Sequence, residues 1–228
     1  MRTISPSKEL SSLDSLDALS AGTLGFMPRL FVLTTLPHSK PDSHLFERVN
    51  GRHSLRLTAP RSVGLPYGTY PRLLLAYLTT EVVRTKSPKI PLGTTPNDLA
   101  RRLGLSVISG PRGTMARLEE QLYRLVSMCL EWQTAMGLAP RSSGSAFVTA
   151  SGAQWFMPLR KLLPRAASWR SHIVLSRHFF EEATRSAVPV DLRAIYHLKR
   201  SPLAIDLYVW LTYRMSYLKR PTLVPWKG

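Results

Sequence analysis

The chain has 228 residues, with 31 lysines and arginines against 14 aspartates and glutamates, a formal charge of +17. Such an excess predicts a polyanionic partner. Apolar residues make up 44% of the chain, which is enough to bury a core and excludes wholesale disorder. The single cysteine, Cys129, excludes an internal disulfide framework or a cysteine-rich zinc site and fits a reducing cytosol.

Two segments bear on membrane insertion and secretion. The longest uncharged run, Ser142–Leu159, contains serines, glycines, a threonine and a glutamine, and is too polar to cross a bilayer. Charged residues between Lys8 and Asp17 interrupt any apolar core of a secretory signal. We therefore expect a cytoplasmic protein with no membrane contact.

The positive charge is greatest toward the C-terminal end. Residues 141–228 carry 14 basic and 4 acidic side chains. These bases are dispersed among apolar residues, so we expect folded domains to present the positive surface. The alternative is that the scattered charge excess only keeps the exterior soluble and binds no partner.

The first part of the chain predicts a tail, two strands and a helix. Residues 1–24 are expected to be mobile, although Ser11–Leu19 could form a short helix. The apolar stretch Gly25–Thr35 and the alternating stretch Ser54–Thr58 predict two strands around a turn at Asn50 and Gly51. A helix is predicted over Tyr70–Thr85, with a proline in its first turn.

The stretch from Thr94 to Val126 predicts a helix-turn-helix. Thr95 or Asn97 can cap a short helix that runs through Leu103 and ends at Gly104. A second helix starts near Thr114, and its apolar residues recur at helical spacing to form one buried stripe. The stripe comprises Met115, Leu118, Leu122 and Leu125.

Arg117, Gln121 and Arg124 are predicted to face away from that stripe, as the side chains of a recognition helix would. A guanidinium can bind guanine or clamp a phosphate, and glutamine can bind adenine. Arg112 and Thr114 lie where the backbone amides of a helix N-terminus favour a phosphate. An ordinary solvated helix is the alternative. The complete set of predicted DNA-binding residues is Arg101, Arg102, Arg112, Thr114, Arg117, Gln121, Arg124, Arg141, Lys199 and Arg200.

A predicted β-hairpin follows the second helix. Leu130–Met136 and Ala146–Ala150 are expected to be strands joined by a turn over Gly137–Gly144, with Arg141 at its tip for phosphate or minor-groove contact. A helix-turn-helix followed by a hairpin is typical of a winged helix. The predicted class is therefore α+β, with residues 25–160 as a first winged-helix domain and residues 161–228 as the start of a second.

The last third predicts a strand and several helices. His172–Leu175 is expected to be a strand, Ser176 to cap a helix, and Asp191–Leu198 to form another. Ser201 and Pro202 begin a long helix, and Lys199 and Arg200 directly before it complete the predicted DNA contacts. The expected packing face of this helix comprises Leu203, Leu207, Trp210, Leu211, Met215 and Leu218.

Reactive groups for catalysis are not found in the sequence. The six histidines never form an HExxH or His-x-His pattern, and no phosphate-binding G-x-x-x-x-G-K-[ST] loop occurs. Tyr208 or Tyr213 could act as a DNA-nicking nucleophile, but a nickase also needs a paired-histidine metal centre. We expect no enzyme activity, no metal and no cofactor, with a nicking nuclease as an alternative.

Several strings together resemble the plasmid-encoded RepA replication initiator family. They include Gly64–Gly68 (GLPYG), the helix start Tyr70–Leu75, Val188–Arg193 (VPVDLR) and, most specifically, Leu198–Tyr217. The resemblance spans about residues 26 to 226 and implies tandem winged helices without a catalytic signature. It further implies a protein that binds repeated sites in double-stranded origin DNA and recruits host initiator and helicase proteins, with a homodimer as a possible state.

The chain departs from the family pattern at its end. Family members usually continue past the Pro225-Trp226 segment to complete a second winged helix, so we expect the second domain here to be truncated. A shortened, inactive or autorepressing DNA-binding protein is therefore an alternative to an active initiator. An RNA-binding protein is a further alternative, because a basic surface suits either nucleic acid.

Overall fold

A computed structural model describes residues 18, 19, 21–108, 110–136, 139–146 and 172–224, with the side chains of Pro96 and of residues 135, 136 and 139–146 left out. The expected strand over residues 147–150 and nearly all of the expected Ser11–Leu19 helix lie outside this range.

Seven helices occur in the described residues. They are α1 (Arg29–Thr34), α2 (Thr69–Thr85), α3 (Pro96–Arg102), α4 (Thr114–Ser127), α5 (Arg177–Ser186), α6 (Leu192–His197) and α7 (Pro202–Tyr217). Eight strands accompany them. They are β1 (Leu24–Pro28), β2 (Leu45–Asn50), β3 (His53–Thr58), β4 (Lys89–Pro91), β5 (Cys129–Met136), β6 (Ala139–Ala146), β7 (His172–Val174) and β8 (Ala187–Asp191).

The strands form one larger antiparallel sheet and two short pairs. The larger sheet has the order β2-β3-β5-β6, and the pairs are β1-β8 and β4-β7. The predicted α+β class is confirmed by this mixture. The division into two winged helices and the boundary near residue 160 stay predictions. Strand pairs nevertheless join residues 24–28 to 187–191 and residues 89–91 to 172–174.

The hairpin of β2 and β3 corrects one expected strand. Its turn contains Gly51 at a φ of 57°, as predicted, but the partner of β3 is Leu45–Asn50 rather than the apolar stretch Gly25–Thr35. That stretch divides instead into β1 and α1, because β1 pairs with the distant β8. The predicted tail is attached at its end, since Ala18 is 1% exposed and β1 already begins at Leu24.

Helix α2 is the centre of the core. It starts after Gly68, whose φ is 77°, and ends at Lys86 in the left-handed conformation. Every residue from Pro71 to Thr80 is buried, so the helix is enclosed on all sides rather than on the one face that periodicity indicated. It contacts β1, α4, α5, α6 and α7, and these neighbours form one continuous hydrophobic cluster.

The largest fully buried side chain is that of Arg72, which is 1% exposed at the start of α2. Its Nε and Nη2 atoms donate to the two carboxylate oxygens of Asp206 on α7, at 2.7 and 2.6 Å. The remaining donors bind the backbone carbonyls of Leu36, Pro37 and Gly68 at 2.6 to 3.2 Å. A buried guanidinium is stable only when paired and hydrogen-bonded in this way.

We predict that removing either partner of this pair destabilises the protein strongly. Asp206→Ala leaves the buried guanidinium without its carboxylate and is expected to lower the free energy of unfolding in urea by about 3 to 5 kcal/mol. Arg72→Ala leaves the carboxylate with His38 alone, at 2.8 Å, and is also expected to lower it. The double variant should be less unstable than the sum of the single variants, because it leaves neither charge alone.

The matched control is Arg177→Ala, which breaks an ion pair with Glu181 in which the arginine side chain is 87% exposed. Solvent screens such a pair, so this variant should unfold at nearly the wild-type urea concentration. Equal losses of stability in the buried and the exposed variants would contradict the conclusion that the Arg72–Asp206 pair stabilises the core.

Candidate nucleic-acid interface

Helix α3 is capped by Thr95, one of the two caps that the sequence predicted, within a capping box that was not predicted. The Thr95 hydroxyl accepts from the Asp98 amide at 3.1 Å, and the Asp98 carboxylate accepts from the Thr95 amide at 2.9 Å. Thr94 adds a hydroxyl donor at 2.5 Å to the same carboxylate. These hydrogen bonds, first among them the one from the Thr94 hydroxyl, hold the pKa of Asp98 below its ordinary value.

The C-terminal end of α3 is docked onto the segment around α6. The Tyr196 hydroxyl donates to the Arg102 carbonyl at 2.8 Å, and the Lys199 ammonium donates to the Gly104 carbonyl at 2.5 Å. Gly104 has a φ of 65°, and a Cβ there would lie 2.7 Å from the Tyr196 ring. Contacts between residues more than 90 positions apart in the chain therefore fix the C-terminal end of α3.

Helix α4 carries the buried stripe that the sequence predicted. Leu118, Leu122 and Leu125 are at most 1% exposed, and Met115 packs against the same core. Arg117 is exposed on the opposite side. The order α3, α4, β5 and β6 is thus the helix, helix and hairpin order that was expected.

Gln121 was predicted to face away from the stripe, and this is wrong. Its side chain is 4% exposed, and its Oε1 accepts from the Tyr67 amide at 2.9 Å. The buried surface of α4 is wider than the leucine stripe because the segment around Tyr67 packs beside it. Gln121 therefore holds α4 in place and does not present its amide to solvent.

Arg124 is also turned toward the protein, contrary to the prediction. Its guanidinium binds Glu120 at 2.9 Å, donates to the Leu65 carbonyl at 3.3 Å and lies 5.4 Å from the centre of the Tyr67 ring. A Cβ at Gly64 would lie 2.5 Å from an Nη atom of Arg124. The GLPYG string over residues 64–68 is therefore the docking segment for α4, a role that the string alone did not reveal.

The expected tip position of Arg141 is wrong. Met136 pairs with Ala139, and Arg141 lies within β6 opposite Thr134 rather than in a long turn over Gly137–Gly144. The contacts of its side chain lie outside the described part of the chain.

Four predicted arginines remain exposed at this surface. Arg101 and Arg102 end α3, Arg112 lies in the connecting loop, and Arg117 lies in the first half of α4. Arg101 reaches Asp98 at 3.3 Å but has a side chain 69% exposed. We call Arg101, Arg102, Arg112 and Arg117 the α3–α4 arginines.

The other predicted residues are placed differently. Thr114 is half-buried at the start of α4, Lys199 is engaged with the Gly104 carbonyl, and Arg200 is exposed before α7. Arg48 and Arg52 at the β2–β3 hairpin are also exposed, and the sequence prediction did not include them. The sequence feature that could have identified them is a basic residue on each side of the predicted Asn50-Gly51 turn, since such turns lie at the surface.

The residues considered for metal binding and for a nicking reaction have the following places in the described part of the chain. No group of three or more potential metal ligands occurs there. The Tyr208 hydroxyl accepts from the Asp191 amide at 2.9 Å and so joins α7 to β8, while Tyr213 packs edge to face against Tyr217. Within the same residues, no helix is long and apolar enough to span a membrane.

We predict that Gly104→Ala destabilises the protein more than Gly22→Ala. Both glycines have a φ near 66°, so both alanines are strained, but only the alanine at position 104 also meets the Tyr196 ring. Thermal unfolding measures the difference. A similar loss of Tm in both variants would show that Tyr196 does not constrain the end of α3.

We further predict that Thr94→Val raises the pKa of Asp98, because the variant removes the hydroxyl that contributes most to its lowering. A carboxyl-carbon NMR titration measures this value. The stabilisation from a lowered carboxylate pKa is present above the ordinary value and is lost as the pH falls through the folded value. Thr85→Val, whose hydroxyl donates to the Glu81 carbonyl, is the control that should leave Asp98 unchanged.

The comparisons with known proteins agree with this fold. The family described as plasmid-encoded RepA protein matches residues 65–224. No curated protein matches the sequence. A selenomethionine crystal structure of domains 2 and 3 of RctB has a similar fold, with a TM-score of 0.51, 16% sequence identity, and coverage of 83% of this chain and 74% of that one. Because the family match covers most of the sequence, this chain belongs to the family of plasmid-encoded RepA proteins.

Proposed function

We propose that this protein is a plasmid replication initiator that binds duplex origin DNA through the α3–α4 arginines. Membership of the RepA family supports the initiator role. The observation that carries the DNA-binding proposal is the exposure of four arginines along the end of α3, the connecting loop and the start of α4. Arginines in such a helix pair can clamp phosphates and bind base edges.

The charges around these arginines support the same proposal. Glu120, the exposed acid on α4, is held by Arg124, and Asp98 is held by its own capping box. Asp98 also pairs with Arg101 at 3.3 Å, and the Arg102 guanidinium donates to the Tyr77 hydroxyl at 3.3 Å, but both arginines stay exposed. A polyanion approaching this side meets net positive charge.

The proposal assigns different tasks to the four side chains. Arg117 projects from α4 and is positioned to reach a base edge, whereas Arg101, Arg102 and Arg112 flank it and bind phosphates. Gln121 and Arg124 hold α4 against the segment around Leu65 and Tyr67, and Lys199 holds the end of α3 at the Gly104 carbonyl.

Binding of repeated origin sites and recruitment of host initiator and helicase proteins complete the proposed role. It contains no catalytic step. Metal-dependent cleavage of a supercoiled origin plasmid that is lost in Tyr208→Phe would favour the nicking alternative. DNA binding without replication of an origin plasmid would favour an autorepressor.

We predict a strong dependence of DNA affinity on salt. Three phosphate contacts give a slope of about −3 for log K against log salt concentration, so affinity should fall by about 40-fold between 50 and 200 mM salt. Fluorescence anisotropy measures this with origin fragments selected on the purified protein. Arg101→Ala should weaken specific and random DNA alike and reduce the slope by about 1, whereas Arg117→Ala should lower discrimination by about 1 to 3 kcal/mol.

Arg177→Ala is the control for this series, because it removes the same charge from an exposed position on α5. It should leave affinity and slope unchanged. Equal losses for Arg101→Ala and Arg117→Ala on both kinds of DNA would contradict the division of tasks. A flat salt response, or tighter binding of structured RNA in competition, would contradict the proposed function.

A further inference from the structure

Helix α7 presents apolar side chains to solvent. Its buried residues are Ile205 and Val209, whereas Leu203 is 52% and Leu211 47% exposed. At 100° per residue, Leu203 and Leu211 lie on the side of the helix opposite the buried pair. The prediction that Leu203 and Leu211 pack against the core is therefore wrong, because both side chains point toward solvent.

We define the α7 face as Leu203, Leu207, Trp210, Leu211, Arg214 and Met215. Helical geometry places these residues within about 140° of one another, which makes the face a single continuous surface. Leu207 and Trp210 are half-buried, and Met215 is 37% exposed. A soluble protein seldom leaves such an apolar surface uncovered unless a partner binds it.

Cations surround this apolar surface at both ends. Arg200 is exposed before α7, and Lys219 and Arg220 are exposed after it. Within the face, the guanidinium of Arg214 lies 5.1 Å from the centre of the Trp210 ring. The single acid of α7, Asp206, is bound to the buried Arg72 and supplies no free negative charge.

We propose that the α7 face docks an acidic amphipathic helix of a partner protein. Helix α7 has 16 residues, so it can align with a partner helix of about four turns, or about 24 Å. Leucines of the partner at spacings of three and four would cover Leu203, Leu207 and Leu211. Carboxylates on its flanks would pair with the cations at both ends, and a carboxylate facing the C-terminal part of α7 would pair with Arg214.

Charge complementarity decides among the possible occupants. A second copy of this chain would bring the cations of one α7 face against those of another with no acid between them. A lipid surface would have to accept the Arg214 guanidinium, which lies between Leu203 and Leu207 in projection, at the depth of the apolar side chains. A duplex offers phosphates but no apolar surface for the leucines.

The proposal rests on other residues than the DNA-binding one, because none of the α3–α4 arginines belongs to the α7 face. A substitution at Leu211 or Arg214 leaves those arginines in place, which separates the outcomes of the two tests.

The test uses three labelled 18-residue peptides that share one pattern of leucines and carry glutamates, glutamines or lysines at the flanking positions. Anisotropy is measured with the full chain. The glutamate peptide should bind about tenfold or more tightly than the other two, and Leu211→Glu should weaken it by about tenfold or more. Arg214→Glu should shift the preference toward the lysine peptide.

Val49→Glu is the matched control, because Val49 is 72% exposed on β2 and outside the α7 face. It should bind the glutamate peptide as the wild type does. Equal binding of the glutamate and glutamine peptides, or no binding, would overturn the proposal.

Two further outcomes would also overturn it. A dimer in sedimentation that Leu211→Glu dissociates would identify a second copy as the occupant. Binding to anionic vesicles lost in the same variant would identify a lipid surface.

Discussion

The buried pair of Arg72 and Asp206 is the constraint on which the arrangement of the helices depends. A guanidinium that is 1% exposed must have all its donors satisfied, and this one binds a carboxylate and three carbonyls. The partners come from the loop at residues 36–38, the start of α2 and α7, and His38 approaches the same carboxylate at 2.8 Å. Because buried charges tolerate no missing partner, these segments must meet at one point.

That constraint also fixes the rotation of α7. Asp206 lies beside Ile205 on the helix, so pairing with Arg72 places this side against the core. The opposite side, with Leu203 and Leu211, then faces solvent although it is apolar. Hydrophobicity alone would have buried the leucines, but leaving the buried Arg72 without its carboxylate would be more unfavourable than exposing two leucines.

The positive surface depends on the small number of acidic residues, several of which are held in local contacts. Glu120 is held by Arg124, Asp191 by Arg193, and Asp98 by its capping box. With only 14 acids for 31 bases, most lysines and arginines have no acidic partner available. The exposed arginines of α3, α4 and their connecting loop belong to this excess, although Arg101 also reaches Asp98 at 3.3 Å.

The sequence by itself determined the features that depend on neighbouring residues. Thr95 or Asn97 was expected to cap one helix, Ser176 to cap another and Ser201 to begin a third, and the side chains of Thr95, Ser176 and Ser201 each accept a backbone amide there. Such caps need only three or four residues, so local chemistry decides them. The helix pair of α3 and α4, four of its exposed arginines and the family were also accessible from sequence.

Tertiary structure decided the pairing of β1 with β8, the burial of Gln121 and the outward direction of the α7 leucines. In each case the deciding partner lies far away in the chain. Gln121 is buried because Tyr67 donates to it from 54 residues away, and α7 is oriented by an arginine 134 residues away. Periodicity shows which residues share a face of a helix, but only the partner that reaches that face decides whether it is buried.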